Sequence, residues 1–222
     1  MNRFFVVLGA VGAVGAVAIG WMLMRPTSPS IPANVTVTAS DTAGFRGYVL
    51  GRADAPVEVV EYADYQCPAC AQFEAVQFPD VRQRLIESGR VRWRYRDFPL
   101  DQHRWARLAA HAAACADEQG RFWDVHALIY AGQADWERSG DAGDLFASYG
   151  DQAGLDRAKY DACMQSTRHA GRIQASLNEG MAAGVSSTPT FLIGGRLFAG
   201  ILAADRLKQI ADSIAPVASA AK

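Results

Sequence analysis

The feature that most constrains this chain is a pair of cysteines, Cys67 and Cys70, at the junction of a β-type segment and a helical segment. Residues 57–62 read VEVVEY, and this run of β-branched residues predicts a strand. Pro68 suits the first turn of a helix, because its missing N–H would have no partner there. Cys67 is therefore expected at a helix N-terminus, where unpaired N–H groups stabilise a thiolate, the reactive form of cysteine.

Two other uses of this cysteine spacing fit the sequence poorly. A structural zinc site needs a second close pair of ligands, whereas Cys115 and Cys163 each stand alone. A haem attachment site needs histidine after the second cysteine, and Ala71 occupies that position. We therefore expect redox chemistry, with no metal site and no cofactor. The histidines, which show no zinc-ligand spacing with the lone cysteines, are His103, His111, His126 and His169.

The order of predicted elements indicates an α/β domain that carries a helical insertion. Period-two alternation marks the strands and apolar stripes mark the helices. The predicted elements are a strand at 57–62, a helix at 67–87 kinked near Pro79, a strand at 91–96, a helical block closed by a helix at 167–183, a hairpin of strands at 190–193 and 196–199, and a helix at 202–214.

The chain divides into four predicted segments. The folded domain covers residues 54–216, with its helical insertion at about 101–183, and residues 217–222 form a C-terminal tail. Residues 26–53 are rich in proline, serine and threonine, which is typical of an extended tether. Residues 1–25 are a signal anchor or a signal peptide.

The N-terminal segment predicts attachment to a membrane. Residues 4–24 carry no charge and are flanked by Arg3 and Arg25. A helix over this segment spans roughly 30 Å, the thickness of a bilayer core. We expect a single-pass transmembrane helix in the cell membrane, with the folded domain in the periplasm or at the cell surface. The alternative is a cleaved signal peptide and a soluble periplasmic protein, although the apolar regions of signal peptides are usually shorter.

Several sequence motifs resemble the DsbA-like branch of the thioredoxin superfamily. They occur in the same order as in that branch, and the resemblance covers roughly residues 54–214. The motifs are EYADYQCPAC at 61–70, RDFPL at 96–100, CADEQG at 115–120 and GVSSTPT at 184–190. The resemblance implies a thioredoxin-like fold with an inserted helical subdomain, which agrees with the predicted elements.

The resemblance also implies roles for individual residues. Cys67 would be the exposed nucleophile and Cys70 the buried resolving thiol of a redox-active centre. Pro189 would be a cis-proline packed against the two cysteines, with Thr188 before it, and the backbone there could pair with an extended substrate chain. Ala69 stands where strongly oxidising members carry histidine, so the resemblance does not imply the redox potential.

Glu61 is a further candidate for the catalytic site. Strand alternation puts it on the same face as Val57 and Val59, where a carboxylate is costly without a partner or a raised pKa. The resemblance implies a buried acid that handles the proton of Cys70. The alternative is an acid at the solvated end of the strand. Asp64 is interpreted as a loop or capping residue.

Cys115 and Cys163 are expected to form a structural disulfide. Each lies on the apolar stripe of a predicted helix, the expected compartment is oxidising, and no other cysteine is available to either. The alternative is two separate buried thiols, since free cysteine often behaves as a small apolar residue.

These observations predict an extracytoplasmic dithiol oxidase that introduces disulfides into secreted or envelope proteins. We expect a membrane redox partner that recycles the cysteines, and a monomer. The formal net charge of −1 gives no indication of nucleic-acid binding. One alternative is a disulfide isomerase or reductase, although residues 26–53 are too short for a dimerisation domain. The other is a tethered peptide-binding holdase in which the cysteine motif is incidental.

Overall fold

The computed structural model describes residues 14–15, 20 and 29–216 of the 222-residue chain. The predicted membrane helix over residues 4–24 therefore lies almost wholly outside the described residues, and the tail at 217–222 lies wholly outside them. Within the described ranges, none of the helices has the length and apolar character needed to span a bilayer.

The elements alternate as predicted, so the α/β fold with a helical insertion is confirmed. The strands are β1 (Tyr48–Leu50), β2 (Val57–Ala63), β3 (Val91–Asp97), β4 (Thr190–Ile193) and β5 (Arg196–Ala199). The helices are α1 (Ala39–Thr42), α2 (Pro68–Val76), α3 (Phe78–Val81), α4 (Ala106–Asp117), α5 (Phe122–Ala131), α6 (Gln133–Trp136), α7 (Gly143–Gln152), α8 (Arg157–Met164), α9 (Ala170–Ala182) and α10 (Ala204–Ile214).

The five strands form one mixed sheet in the order β1-β3-β2-β4-β5. Strands β2 and β3 are parallel, with Val57 opposite Val91 and Ala63 opposite Asp97, and the other pairs are antiparallel. Because parallel strands end at the same edge of a sheet, the loop after β2 lies beside the loop after β3. This edge carries the cysteine motif.

Apolar side chains cover both faces of the sheet. On one face Phe73 of α2 packs on Trp93 and Phe191, and α10 joins the same cluster. On the other face α9 lies against Tyr62 and Phe98. A side chain at Gly180 would collide with both of these rings, so glycine allows α9 its close approach to the sheet.

Helices α4 to α8 form the insertion and pack around an alanine-rich core. Cys115 of α4 and Cys163 of α8 are joined by a disulfide, with their Cα atoms 5.7 Å apart. Both residues are buried, as is Trp136 of α6, which donates a hydrogen bond to the Ile129 carbonyl at 2.7 Å. The disulfide therefore links the first helix of the insertion to a later one.

The helix predicted at 67–87 is interrupted. Helix α2 ends at Val76, α3 begins at Phe78, and residues Arg82–Ile86 continue it as a π-helical turn. Pro79 has no N–H to donate to the preceding turn, which accounts for the break.

The sheet begins earlier than the sequence indicated. Strand β1 and helix α1 lie within residues 26–53, the segment assigned to the tether. Tyr48 stacks on Phe122 with ring centroids 3.5 Å apart, and Ile31 is buried against the insertion. The predicted domain start at residue 54 therefore needs correction, because a three-residue strand gives too little alternation to recognise.

Candidate active site

The cysteine motif begins at the N-terminus of α2, directly after the loop that follows β2. Cys67 is the N-cap residue, and Pro68 occupies the first turn as its missing N–H allows. The Cys67 carbonyl accepts hydrogen bonds from the N–H groups of Cys70 and Ala71, both at 3.1 Å. The sequence therefore places the Cys67 sulfur where the helix presents its unpaired N–H groups.

Asp64 organises this loop, in agreement with its interpretation as a loop residue. Its buried carboxylate accepts hydrogen bonds from the Gln66 N–H at 2.7 Å, the Leu100 N–H at 2.7 Å and His103 Nδ1 at 2.8 Å. The backbone carbonyl of Asp64 accepts from the Cys67 N–H at 3.0 Å. One side chain thus joins the loop after β2 to the loop after β3.

The helical insertion also holds the loop. Gln133, the first residue of α6, donates from Nε2 to the carbonyl of Tyr65 at 2.6 Å and to the carbonyl of Cys67 at 3.1 Å. Gln133 is itself buried, so these hydrogen bonds are shielded from water. The geometry of the active-site loop therefore depends on a helix far along the chain.

The two cysteines differ in burial and in acidity. Cys70 is fully buried, and its pKa is raised well above the ordinary value by burial and then by the neighbouring Cys67. The pKa of Cys67 is lowered to about 5, first by a hydrogen bond with Cys70, then by Thr188 and by the N–H groups of Cys70 and Ala69. Cys67 is 7% exposed, so it is less accessible than the exposed nucleophile we expected.

Pro189 lies next to the cysteine pair, and its bond to Thr188 is cis. The Cys67 thiol donates a hydrogen bond to the Thr188 carbonyl at 3.3 Å. The structure therefore brings Thr188, Pro189 and Cys67 together just before β4 begins, as the resemblance implied.

Glu61 is buried beneath this pair, in the middle of the sheet. It lies opposite Tyr95 on β3 and Phe191 on β4, and its Oε2 accepts a hydrogen bond from Trp93 Nε1 at 3.1 Å. Its Oε1 has no hydrogen-bond partner among the described residues. Burial raises the pKa of Glu61 well above its ordinary value, and the charge of Glu74 raises it further. Glu61 therefore favours its neutral form.

Glu74 and His126 are two further buried ionisable residues, and the sequence analysis assigned neither of them a role at the site. Glu74 lies one turn after Cys70 on α2, and its Oε1 is 3.2 Å from Nε2 of His126. Burial raises the pKa of Glu74 to about 8 and lowers the pKa of His126 to about 3. The Tyr65 hydroxyl is 2.9 Å from His126 Nδ1. Glu74 follows Cys70 by four residues in a predicted helix, and this spacing could have indicated that the two side chains are neighbours. No residue near His126 in the sequence indicated that His126 reaches the site.

The second cysteine pair lies in a cluster with metal-binding side chains. The ligand atoms of His111, Cys115 and Cys163 all lie within 4.8 Å of one another, and Glu118 and His169 are grouped with Cys163 in the same way. The two sulfurs are bonded to each other, so neither is a free thiolate for a metal. This geometry favours a structural role.

Several known proteins are similar to this chain. A family model described as thioredoxin matches residues 45–213. The disulfide bond formation protein D of Bacillus subtilis is 28% identical over 173 residues, which cover 72% of this chain and 73% of that protein. The crystal structure of oxidised BdbD from Bacillus subtilis has the same fold, with a TM-score of 0.69 and 22% identity over 85% of this chain and 98% of that one.

A longer relative matches over the same region. The Na(+)/H(+) antiporter NhaA 3 of Salinispora tropica is 36% identical over 198 residues, which cover 84% of this chain. Those residues cover only 29% of the antiporter, so the chain spans under a third of that relative's length.

Proposed function

Because this chain belongs to the DsbA-like branch of the thioredoxin superfamily, a group of protein-disulfide oxidoreductases, we propose that it is a dithiol oxidase that introduces disulfides into exported proteins. Cys67 and Cys70 are its redox pair. Thr188 and Pro189 bind the substrate chain, and Glu61 handles the proton of Cys70.

The observation that carries the proposal is the position of the Cys67 sulfur at the start of α2. A hydrogen bond from the Cys70 thiol stabilises its thiolate most, the N–H groups of Cys70 and Ala69 add to this effect, and the pKa of Cys67 falls to about 5. A stabilised thiolate favours the reduced pair and so makes its disulfide a stronger oxidant. Ala69 contributes no side-chain donor, so backbone groups and neighbouring residues supply this stabilisation.

The reaction follows from the asymmetry of the pair. A substrate thiolate attacks the sulfur of Cys67 in the disulfide form, and the bond to Cys70 breaks. Cys70 leaves as a thiolate and takes up a proton, because burial disfavours its charge. A second substrate thiolate then attacks the substrate sulfur of the mixed disulfide, and Cys67 leaves as a stabilised thiolate. The substrate gains a disulfide and the enzyme holds two reduced cysteines.

Glu61 is suited to supply the proton that Cys70 needs. Its raised pKa keeps it neutral, and its Oε1 has no hydrogen-bond partner among the described residues. A neutral acid beneath the leaving thiolate avoids two adjacent buried negative charges.

We further propose that the domain works outside the cytoplasm. The Cys115–Cys163 disulfide supports this, because such bonds persist in oxidising compartments. Residues 4–24 would anchor the protein in the membrane, with cleavage of a signal peptide as the alternative. The proposed partners are thiol-containing secreted or envelope proteins and a membrane protein that reoxidises the cysteine pair. Nothing in this scheme requires a second copy of the chain.

The test is the redox equilibrium of the pair with a glutathione buffer, followed by oxidation of a reduced client protein. We expect a potential more oxidising than about −200 mV and stoichiometric disulfide formation in the client. A potential near −270 mV, as in reductants of this fold, would refute the oxidase proposal. Rapid reshuffling of a scrambled client without net oxidation would instead identify an isomerase.

A further inference from the structure

A cavity of about 250 Å³ lies against the segment that follows β3, which is hydrogen-bonded to the active-site loop. We propose that this basic pocket, lined by residues 29–33 and 100–108, binds a carboxylate carried by the thiol substrate. Thiols with a nearby carboxylate would then be oxidised in preference to neutral ones. The inference rests on the proposed thiol–disulfide exchange and adds a substrate preference to it.

Hydrogen bonds fix the basic pocket next to Cys67. The segment that follows β3 is tied to the active-site loop at three points. The Asp64 carboxylate accepts from the Leu100 N–H and from His103 Nδ1, and Gln66 Oε1 accepts from the Trp105 N–H at 2.8 Å. Residues 64–66 directly precede the nucleophile, so a substrate whose sulfur reaches Cys67 passes close to this pocket.

The charge of the basic pocket is positive. Its described lining includes Arg104, Arg107 and His103 against Asp101, and the Asp64 carboxylate is hydrogen-bonded to His103, so the two arginines carry the positive charge. The hydrogen bond to Asp64 raises the pKa of His103 above its ordinary value, and the charge of Asp64 adds to this effect. The pocket therefore attracts anions more strongly than cations.

Three hydrogen-bond donors in the lining lack acceptors. Arg107 Nη1, Arg107 Nη2 and Trp105 Nε1 are buried, and none has a hydrogen-bond partner in the part of the chain that the structure describes. Burial lowers the pKa of Arg107, and the charges of Asp101 and Asp64 oppose this only in part. Arg107 is partly buried and its two covered terminal nitrogens have no acceptor, which is costly, so a ligand that accepts hydrogen bonds would complete the site.

A carboxylate fits these donors best. The two terminal nitrogens of an arginine form a planar fork that matches the two oxygens of a carboxylate. The cavity is small enough to take a carboxylate with a few carbons but not a nucleotide-sized ligand. The carboxylate has two possible sources: an acidic side chain near the client cysteine, or a small thiol such as glutathione.

The experiment measures how fast peptides reduce the Cys67–Cys70 disulfide of the full chain in stopped-flow. Each peptide carries one cysteine and either aspartate or asparagine one to four residues away. Rates are expressed per thiolate, because a neighbouring carboxylate changes the pKa of the peptide thiol. At the best spacing we expect the aspartate peptide to react about tenfold faster, as a charge-assisted hydrogen bond allows. Equal rates at every spacing, together with no effect of esterifying glutathione, would overturn the inference.

Variants test whether the preference belongs to the basic pocket. Arg107→Gln should reduce the aspartate-to-asparagine rate ratio to below about twofold. Arg107→Lys keeps the charge without the fork and should give an intermediate ratio. Arg206→Gln removes an exposed arginine of α10 and should leave the ratio unchanged. A wild-type ratio that survives in Arg107→Gln would place the preference elsewhere and refute the assignment.

Two comparisons complete the design. If the diethyl ester of glutathione reacts more slowly than glutathione while the peptide pairs react equally, the carboxylate belongs to a small thiol. If the peptide pairs differ, it belongs to the client. Failure of every thiol to reduce the disulfide would refute the proposed function itself, whereas exchange without discrimination would refute only the carboxylate site.

Discussion

The two cysteine pairs of this chain show how one kind of bond can serve opposite purposes. Cys67 and Cys70 are separated by two residues at the start of a helix, and both are free thiols in this structure. Cys115 and Cys163 are 48 residues apart in sequence and are joined in the buried core of the insertion. Sequence separation and surroundings distinguish the pairs more than burial does, since all four residues are largely covered.

The difference lies in how each site treats a negative charge on sulfur. At the first pair, a hydrogen bond from the Cys70 thiol and then backbone N–H groups stabilise the Cys67 thiolate, while burial disfavours the thiolate of Cys70. Around the second pair, His111 Nε2 lies 3.5 Å from the Cys115 sulfur, but burial lowers the pKa of His111, so this imidazole favours its neutral form and provides no positive charge for a thiolate. Thiol exchange proceeds through a thiolate, so only the first pair is prepared for it.

The largest expected effect comes from removing the nucleophile. Cys67→Ala should lower client oxidation to the uncatalysed rate, because the sulfur that a client thiolate attacks is lost. The paired variant Cys115→Ala/Cys163→Ala should retain exchange within about twofold of wild type, as expected for residues outside the site. The measurement is oxidation of a reduced client. Equal losses in the two variants would abolish the distinction between the pairs.

Removing the resolving cysteine should have a different outcome. Cys70→Ala should accumulate mixed disulfides between Cys67 and clients, because no internal thiol remains to release them. Non-reducing gels of client mixtures measure this directly. Cys67→Ala is the matched control and should trap none; trapping by that control would reverse the assigned roles.

The second pair should matter for stability instead. Cys115→Ala/Cys163→Ala should lower the free energy of unfolding by about 4 kcal/mol, as loop closure of this length predicts. Urea denaturation of the oxidised protein and the variant measures the difference. Gentle reduction of the native protein should release two thiols, and reduction after denaturation should release four. Release of all four from the native state would show that the second bond is accessible.

Alkylation against pH sharpens the contrast within the first pair. In the reduced protein, Cys67 should react with a midpoint near pH 5, and at pH 7 more than about a hundredfold faster than Cys70. Its folded pKa lies below the unfolded value of 9.0, so this thiolate's stabilising contribution is present above pH 9 and is lost as pH falls through about 5. Mass spectrometry of quenched samples identifies each site. A midpoint above pH 8 for Cys67 would remove the basis for a strong oxidant.

The smallest expected effect concerns Glu61. Glu61→Gln should slow exchange by about tenfold, at the lower end of general acid catalysis. The folded pKa of Glu61 is raised above the unfolded value of 4.5. The stabilising contribution of its neutral form is therefore fully present below that pH, and this contribution is lost as the pH rises toward the folded pKa. The variant should therefore gain relative stability from pH 4.5 to pH 8 in urea titrations. Unchanged exchange across pH 5–8 would assign Glu61 a structural role only.

Local patterns were enough to place the cysteine pair. The Cys-Pro-Ala-Cys motif follows a β-branched run, so its position at a strand–helix junction could be predicted from neighbouring residues alone. Glu61 could be placed on the buried face in the same way, because strand alternation has a period of two. In each case the physical cause acts within a few residues.

Features built across the fold could not be predicted. Gln133 and His126 reach the site from helices far along the chain, and their sequence surroundings carry no signal of it. Strand β1 was missed because its three residues are too few for a pattern. The low exposure of Cys67 results from the loop and from Thr188 packing over it, which depends on tertiary structure.

The hydrogen bonds from Gln133 have a mechanical consequence. Gln133 of α6 donates hydrogen bonds to the carbonyls of Tyr65 and Cys67. We therefore expect the insertion and the reactive loop to unfold as one cooperative unit rather than independently. A chain whose insertion has opened would then lose its catalytic geometry before the sheet unfolds. Hydrogen exchange followed by mass spectrometry would show this as matched protection in residues 64–71 and in α6; protection that differs between them by more than about 2 kcal/mol would show two separate units.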